Sequence, residues 1–387
     1  MRFRPSILVT ALAVALGCHD APTTATAPRE SSGRSLRAAS LANDAPQPSS
    51  VRWNQEAIAL FRARGGNPGR LTAYLSLAQY RAVLAAHSER HGQERPSPAG
   101  AAAGASVVVL QHFYALDAAA IDAALAAQRA ELPLGTERNK DFARGEAIGR
   151  EVAAAVLAFA ASDNFGLTLP GIPPVGPGYW TSSGAATVRG GLGARPFFLR
   201  SASELRSPPP PAFGSLAYLA ALAEVREIAL GRTAEQVAIV VKWVPFSGPL
   251  FNAVATDLIE KYHRSELEAA RILAYANAAA FDAIIACFDT KFAYWFIRPT
   301  QADPSIPRAT GLPNHPSYPS AHSCETGAFH GVLTDAFPSE RAMLDALAQE
   351  ASMSRVYGGI HYRFDGEAGL ALGRAAAGLA LQRRGLE

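Results

Sequence analysis

Apolar residues recur every three to four positions along almost the whole chain after residue 50, which is the pattern of amphipathic helices. These segments are rich in alanine, which favours helix, and strand signals are nearly absent. The sequence shows no internal repeat. The pattern predicts an all-α protein, a helical bundle with helices at 52–63, 69–86, 105–130, 138–162, 214–230, 233–243, 247–261, 265–288, 322–335, 338–356 and 366–384.

One long stretch, residues 164–213, departs from this pattern. It contains Pro177-Gly178-Tyr179-Trp180 and a run of prolines at Pro208–Pro211. So many prolines exclude regular helix, and long irregular segments in compact domains are usually functional. We therefore expect an irregular Pro/Gly-rich excursion that lies over a site or between subdomains.

The first residues have the pattern of an export signal. A basic start, Met1–Arg4, precedes an apolar run at Ser6–Leu16 that is too short to span a bilayer permanently. The run ends at Gly17-Cys18, which resembles a bacterial lipoprotein signal in which Cys18 is lipidated; an ordinary cleaved signal peptide is the alternative. Either interpretation predicts an exported protein, periplasmic or anchored to the outer membrane of a bacterium.

The remaining chain is expected to contain a tether and one folded domain. Residues 19–50 are rich in Ala, Thr, Ser and Pro without periodicity, as flexible linkers are. Residues 51–387 are predicted to form a single helical domain. Within it, Ile272–Phe288 is strongly apolar but contains Asp282, so we interpret it as a buried core helix and not as a membrane span.

Composition excludes several classes of function. The chain has 387 residues, a formal net charge of +3 and 18 % charged residues, without the basic excess of a nucleic-acid-binding protein. Its three cysteines are too few for a disulfide framework and include no CxxC pair for zinc. Cys287 and Cys324 are expected to be small buried side chains.

The residues with catalytic potential are concentrated between 291 and 365. Lys291 and Arg298 are seven positions apart, a spacing that would place both on one face of a helix. The residues between them are mostly large and apolar, and buried cations need an anion. We therefore expect an oxyanion site, the alternative being a solvated basic helix face.

Two further pairs of residues point to acid–base chemistry. Ser320-Ala321-His322 stands where a helix is predicted to begin, so Ser320 could cap it, the free N–H groups could bind an anion and His322 could serve as general acid or base. His361 and Asp365 are four apart on a predicted helix, where the carboxylate could orient the imidazole. Each pair also fits a purely structural role.

Clustered histidines raise the alternative of a metal-cation site. His315, His322 and His330 are spaced by seven and eight residues, unlike the i, i+4 pair of zinc-binding helices. The neighbouring Lys and Arg residues would also repel a cation. The spacing therefore favours an oxyanion over zinc.

Taken together, the segments K-x6-RP, PSAH and SR-x5-H-x3-D resemble the signature of the type 2 phosphatidic acid phosphatase and vanadium-dependent haloperoxidase superfamily. Ala321 stands where that signature usually has glycine. Trp53-Asn54 and Pro177–Trp180 are similar to the haloperoxidase-related bacterial branch. The resemblance implies a helical bundle with its site at one end of the core helices.

The resemblance also implies a role for each matched position. His361 would be the covalent partner, as phosphohistidine nucleophile or as vanadium ligand, with Asp365 fixing its tautomer. His322 would protonate the leaving group or handle the protons of peroxide. The oxyanion of vanadate or phosphate would be bound by Lys291, Arg298, Ser320, the backbone of Ala321, and Arg355.

The resemblance leaves two enzymatic functions open. The first is a vanadium-dependent haloperoxidase that holds vanadate and oxidises halide with hydrogen peroxide. Bromide is expected ahead of chloride, because His315 matches an extra active-site histidine of the family's bromoperoxidases where the chloroperoxidases have Phe. The alternative is an acid phosphatase that hydrolyses phosphate monoesters without a cofactor.

The expected partners are small molecules. They are peroxide and halide, or phosphate esters, with membrane contact only through an N-terminal lipid anchor and with a homodimer as one arrangement. A non-enzymatic binding module on the same fold is the remaining alternative. It would predict the loss of a motif residue, and the sequence retains every one except for the Gly-to-Ala change at 321.

Overall fold

A computed structural model describes residues 47–89, 95–131, 140–166, 169–170, 172–183, 187–188 and 193–386. The predicted signal peptide with Cys18, and most of the predicted tether, lie outside these described residues. The first helix begins at Ser49, two positions before the expected start of the folded domain.

Thirteen α-helices form the described part of the chain, which confirms the all-α prediction. Its strands are limited to two short pairs: parallel β1 (Arg95–Pro96) with β2 (Lys140–Asp141), and antiparallel β3 (Leu169–Pro170) with β4 (Thr187–Val188). The helices are α1 (Ser49–Arg64), α2 (Pro68–Ser88), α3 (Pro98–Phe113), α4 (Ala118–Ala130), α5 (Phe142–Ala161), α6 (Leu216–Leu230), α7 (Ala234–Lys242), α8 (Ser247–Lys261), α9 (Glu266–Tyr294), α10 (Pro299–Ala302), α11 (Ala321–Ala336), α12 (Arg341–Tyr357) and α13 (Arg363–Arg383).

Two predicted helices differ most from the helices of the structure. The single helix expected at 105–130 is divided into α3 and α4 at Tyr114, whose φ of −132° and ψ of 60° are not helical, and a 3₁₀ turn at Ala115–Asp117 follows. Alanine supports helix on both sides of the break, so apolar periodicity does not reveal it. The helix expected at 265–288 continues to Tyr294.

Helix α9 is the central helix of the bundle and packs against α2, α8, α11 and α13. It is long and apolar enough to cross a membrane, but most of its apolar stretch is buried inside the protein, as expected for the segment around Asp282. The Asp282 carboxylate accepts hydrogen bonds from the backbone N–H groups of Phe197, Phe198 and Leu199. Burial raises the pKa of Asp282 to about 6. These bonds join the irregular excursion to the core.

Two helix pairs, α3 with α5 and α11 with α13, approach so closely that only glycine fits at the contact. A Cβ added at Gly149 would lie 2.1 Å from the Ala101 carbonyl oxygen, and one at Gly373 would lie 2.1 Å from the Cys324 oxygen. In both pairs a backbone hydrogen bond joins the start of one helix to the start of the other. Ser97 N donates to Asp141 O and Ser320 N donates to Asp365 O, each at 2.9 Å.

The aromatic contacts between α2 and α9 have the same internal symmetry. Tyr74 of α2 meets Phe281 of α9 edge to face, and Tyr80 of α2 meets Tyr275 of α9 in the same geometry, at centroid distances of 6.2 Å. Tyr74 of α2 corresponds to Tyr275 of α9, and Tyr80 corresponds to Phe281. Interchanging the two helices therefore converts each contact into the other. The same contact pattern thus occurs at two places in the bundle, in the α3–α5 pair and in the α11–α13 pair.

Candidate active site

The start of α11 forms the floor of the site. Ser320 is the N-cap, and its hydroxyl accepts from Ser323 N at 3.5 Å. The N–H groups of Ala321 and His322 have no hydrogen-bond partner in the described part of the chain and lie at the positive end of the helix dipole. Ala321 is the first helical residue and has no positive φ. Alanine therefore replaces the usual glycine without backbone strain.

Arg298 lies between two of the predicted histidines. Its Nε donates to His315 O at 2.9 Å, its Nη2 lies 3.1 Å from His315 Nδ1, and its Nη1 donates to Ile360 O at 2.8 Å and lies 3.3 Å from His361 Nε2. The side chain is fully buried, and this desolvation lowers its pKa to about 10. It is charged at neutral pH and has no carboxylate partner among the described residues.

Lys291 and Arg298 converge, but not by the helical spacing that the sequence suggested. Helix α9 ends at Tyr294, and Trp295 takes a left-handed conformation with φ of 52°. Beyond it Phe296 forms a β-bridge with Tyr179, so Arg298 lies outside the helix. The expectation of two turns of one helix was wrong, and the two cations meet because the chain turns at Trp295.

The Lys291 ammonium is saturated by backbone carbonyls. It donates to Pro316 O and Ser317 O at 2.8 Å each and to Pro319 O. Burial lowers its pKa to about 8, so it remains charged at neutral pH. The structure thus gives Lys291 a role that spacing did not reveal, because it ties the loop before α11 to α9 and contributes its positive charge from behind that loop.

Arg355 supplies the third cation, from the last turn of α12. Its Nε donates to Ser354 Oγ at 3.0 Å and its Nη2 to Val240 O at 3.4 Å, while Nη1 has no partner in the regions that are described. The side chain is only 3 % exposed, and desolvation lowers its pKa to about 10. Nη1 can therefore donate hydrogen bonds to an incoming anion.

His361 and Asp365 form the expected pair, but only the aspartate is helical. Helix α13 begins at Arg363, so the premise that one helix carries both residues was wrong; Tyr362 is the N-cap, and its N–H donates to Asp365 Oδ2 at 3.1 Å. Oδ2 also accepts from His361 Nδ1 at 2.8 Å and from Ser317 Oγ at 2.6 Å. Nδ1 therefore carries the proton, and Nε2 holds the lone pair, which faces Arg298 Nη1 at 3.3 Å.

The pair is fully enclosed by protein. Burial raises the pKa of Asp365 to about 6. Burial, together with the charges of Arg298 and Lys291, lowers the pKa of His361 well below its usual value. At neutral pH the pair is a carboxylate with a neutral imidazole. Sequence reasoning missed Ser317, the third member of this group, because a serine in a Pro-rich loop carries no distinguishing signal.

His322 lies at the start of α11 and is held by the loop between α7 and α8. Its Nε2 lies 3.0 Å from Trp243 O and 3.1 Å from Pro245 O. Desolvation and the charge of Arg355 lower its pKa to about 4. The ring is therefore neutral at pH 7 and available to accept a proton.

The other two histidines of the cluster have separate environments. His315 bonds to Arg298 and meets Phe288 edge to face at 5.2 Å. His330 instead pairs with Asp345 at 2.6 Å. The three histidines considered for zinc thus have different partners, and the described residues contain no group of three or more His, Cys, Asp and Glu side chains that could hold a metal cation.

The site as a whole is positively charged. Lys291, Arg298 and Arg355 are all buried, and their charges all act on the ring of His361, whose own partner is the single carboxylate of Asp365. Buried guanidinium groups that lack acidic partners are stable only with a counter-charge, and a tetrahedral oxyanion matches their planar donors and the helix start. The arrangement can therefore bind phosphate or a phosphate analogue beside the His361 lone pair.

Comparisons with known proteins find one similarity in sequence and several in fold. Residues 271–385 match the PAP2 superfamily model. No curated protein sequence matches the chain. A bacterial vanadium-dependent iodoperoxidase structure has a TM-score of 0.72 at 23 % identity, covering 89 % of this chain and 99 % of that one.

A bacterial vanadium-dependent chloroperoxidase is similar in two solved forms. The apo form has a TM-score of 0.65 at 15 % identity, covering 81 % of this chain and 91 % of that one. The holo form has a TM-score of 0.63 at 15 % identity, covering 85 % and 93 %. Residues 271–385 thus resemble the PAP2 superfamily in sequence, and the chain has the fold of the bacterial vanadium haloperoxidases.

Proposed function

We propose that the protein is a haloperoxidase-type enzyme that holds vanadate at the Lys/Arg/His site and oxidises halide with hydrogen peroxide. The observation that carries the proposal is the pair of buried guanidinium groups, Arg298 and Arg355, which have no carboxylate partner in the described structure and adjoin the His361 site. Only an anion relieves such a charge imbalance.

Vanadate fits the donors that the site offers. Arg298, Arg355 Nη1 and the N–H groups of Ala321 and His322 would bind its oxygens, and His361 Nε2 would be the ligand to vanadium. Lys291 would add charge from behind the loop. When bound, vanadate supplies the Lewis acid that activates peroxide for attack by halide.

The residues of this chain have defined tasks in that reaction. Asp365 keeps the proton on His361 Nδ1 and stabilises positive charge on the ring when Nε2 forms a bond. Neutral His322 takes up a proton at Nδ1, since Nε2 is occupied by the carbonyls of Trp243 and Pro245. An oxyanion beside His322 would favour its protonated form, so the residue can also return the proton.

A phosphatase remains the second candidate, because the same donors match the phosphoryl-transfer transition state. In that reaction the His361 Nε2 lone pair attacks phosphorus and the P–O bond to the leaving group breaks. The leaving oxygen takes a proton from His322, and water then hydrolyses the phosphohistidine. Complementarity to the pentacoordinate state serves both chemistries.

Two observations favour the haloperoxidase. The fold likeness to the iodoperoxidase extends over 89 % of the chain, well beyond the 271–385 region that matches the superfamily model. His315 also stands beside Arg298, where it can contact a halide or peroxide near the anion. On this basis we propose bromide ahead of chloride, with iodide as the most easily oxidised test substrate. We further propose an exported, lipid-anchored enzyme acting on small molecules.

The experiment that tests the proposal measures both activities on one preparation. The purified chain is assayed for p-nitrophenyl phosphate hydrolysis without vanadate, and then for peroxide-dependent oxidation of iodide, bromide and chloride after vanadate titration. Vanadate binding is followed independently by calorimetry. His361→Ala is expected to abolish halide oxidation, and His330→Ala, outside the site, is the matched control.

The outcomes separate the candidates. Vanadate-dependent halide oxidation that disappears in His361→Ala supports the haloperoxidase. Phosphate ester hydrolysis with no halide oxidation at any pH rejects it in favour of the phosphatase. Vanadate binding without either activity would favour the non-enzymatic binding module.

A further inference from the structure

Glu325 is a buried carboxylate one helical turn after His322 on α11, and it belongs to none of the motif segments. Its side chain is 6 % exposed, and burial raises its pKa. A buried acid is costly unless its oxygens are hydrogen-bonded. The partners of Glu325 therefore indicate what it does.

Those partners are at the start of helix α8. Gly248 N donates to Glu325 Oε2 at 2.9 Å, and the Ser247 hydroxyl donates to the same oxygen. Helix α8 begins at Ser247, and its N-cap residue, Phe246, has no side-chain oxygen to accept from the first N–H groups. Glu325 supplies from another helix the acceptor that a capping residue would normally provide.

The cap is adjacent to the backbone that holds His322. The loop from Trp243 to Phe246 leads directly into the capped residues, and its carbonyls Trp243 O and Pro245 O both lie within 3.1 Å of His322 Nε2. The Ser247 hydroxyl that bonds Glu325 is also 3.4 Å from His322 O. One carboxylate thus fixes the segment that determines the surroundings of the His322 ring.

The carbonyls determine which nitrogen carries the proton. A carbonyl oxygen only accepts hydrogen bonds, so His322 Nε2 must be protonated, and Nδ1 of the neutral ring holds the lone pair. The charged groups that act on this ring are Arg355 and Lys291. Neither is a hydrogen-bond acceptor, so neither can favour a proton on Nδ1.

We propose that Glu325 is a positioning residue that maintains the Nε2–H tautomer of His322 by capping α8 and thereby holding the carbonyls of Trp243 and Pro245 against the ring. The inference rests on the proposed function, in which His322 exchanges a proton through Nδ1. Without the cap, the loop has a free helix end and the ring loses its fixed acceptors. Both tautomers would then be populated.

The test uses the full chain labelled with ¹⁵N-histidine, in which two-bond ¹⁵N–¹H correlation reports the tautomer of each ring. Glu325→Ala removes the cap, and Glu325→Gln retains one acceptor oxygen. Glu266→Gln is the matched control, because Glu266 of α9 also accepts from two N–H groups at the start of another helix, Ser49 N at 2.5 Å and Ser50 N at 2.8 Å, but that helix is α1. A His322→Gln spectrum assigns the His322 signals.

We expect pure Nε2–H signals in the wild type and in Glu266→Gln, mixed tautomers in Glu325→Ala, and a partial effect in Glu325→Gln. The kcat of Glu325→Ala should fall roughly tenfold, a fraction of the 10²- to 10⁴-fold contributed by a positioned acid or base. If Glu325→Ala does not fold, Ser247→Ala tests the same cap through its hydroxyl.

A His322 ring that remains wholly Nε2–H in the folded capping variants overturns the inference, whatever the activity. If the tautomer shifts as expected but the wild type neither oxidises halide nor hydrolyses phosphate esters, the proposed function fails and the positioning role of Glu325 stands. The tautomer spectrum therefore tests the role of Glu325, and the activity assays test the proposed function, independently of each other.

Discussion

Replacing Asp365 by asparagine separates the catalytic contribution of this carboxylate from its contribution to folding. Asp365 Oδ2 accepts three hydrogen bonds, from His361 Nδ1, Ser317 Oγ and Tyr362 N. Asparagine keeps an oxygen at that position but removes the negative charge. The ring of His361 then has no anion to stabilise it when Nε2 forms a bond.

The expected loss of activity follows from the charge-assisted bond. A hydrogen bond to a charged group contributes about 1.5–3 kcal/mol. If this contribution is needed only when His361 becomes positive, kcat should fall roughly 10- to 150-fold, at 1.36 kcal/mol per factor of ten. The bond is made in the reacting state, so KM for halide or phosphate ester should change little.

The effect on stability should be small because two terms oppose each other. Burial raises the pKa of Asp365 from 3.8 to about 6, so ionisation destabilises the folded state as pH rises through this window. Asparagine removes that cost. However, Asp365 Oδ1 is buried without a hydrogen-bond partner, so the new amide NH₂ there would cost about 1–3 kcal/mol. The unfolding free energy should stay within about 2 kcal/mol of wild type.

The same pKa predicts the acid side of the pH profile. Below pH 6 the Asp365 carboxylate takes up a proton and no longer stabilises a charged His361. Wild-type kcat should therefore fall as pH decreases through about 6, and this limb should be absent in Asp365→Asn. Steady-state kinetics from pH 4 to 8, together with urea unfolding, measure both quantities.

Asp345→Asn is the matched control, since Asp345 also binds a histidine, His330 Nε2 at 2.6 Å, away from the site. It should leave kcat unchanged. Wild-type kcat in Asp365→Asn, or an equal loss in Asp345→Asn, would refute the reasoning. An acid limb that persists in Asp365→Asn would assign that limb to another group.

Three further predictions test the start of α11, the contact between α11 and α13, and the buried lysine. Ala321→Pro should retain α11, because proline is accepted at the first helical position, but it removes one N–H donor and should weaken vanadate or phosphate binding several-fold by calorimetry. Gly373→Ala should lower the unfolding free energy by about 1–3 kcal/mol, because its Cβ would meet the Cys324 oxygen at 2.1 Å. Gly378→Ala, with open space around it, should instead gain about 0.5–1 kcal/mol. Lys291→Met leaves three buried carbonyls without their donor and should cost about 3 kcal/mol or more in chemical denaturation; unchanged stability would contradict the clamp role of this lysine.

The sequence predicted which residues gather at the site better than it predicted how they gather. Lys291 and Arg298 were expected to meet along a helix face, yet they meet through the left-handed turn at Trp295. His361 was expected inside a helix, yet it precedes α13. Spacing within one element is readable from sequence, whereas a helix end caused by one residue at positive φ is not, since Trp rarely adopts that conformation.

Long-range hydrogen bonds are the second kind of information that the sequence lacks. The ammonium of Lys291 is bonded to carbonyls more than 20 positions away, and Glu325 caps a helix whose start lies at Ser247. Such partners depend on tertiary packing and leave no periodic pattern. The helices themselves were largely predictable, because alanine-rich amphipathic segments have both strong propensity and clear periodicity.

Two similar helix pairs, α3 with α5 in the N-terminal half of the chain and α11 with α13 in the C-terminal half, differ in the buried charges near them. In each half a serine N–H at a helix start donates to an aspartate carbonyl, Ser97 to Asp141 and Ser320 to Asp365, over a close glycine contact. Among the described residues, however, the buried lysine and arginine side chains all belong to the C-terminal half. A helix start alone is a weak anion site, so a close helix pair of this kind does not by itself bind an oxyanion tightly. The set of buried cations near the α11–α13 pair, together with the imidazole that Asp365 holds, distinguishes this pair as the proposed reactive centre.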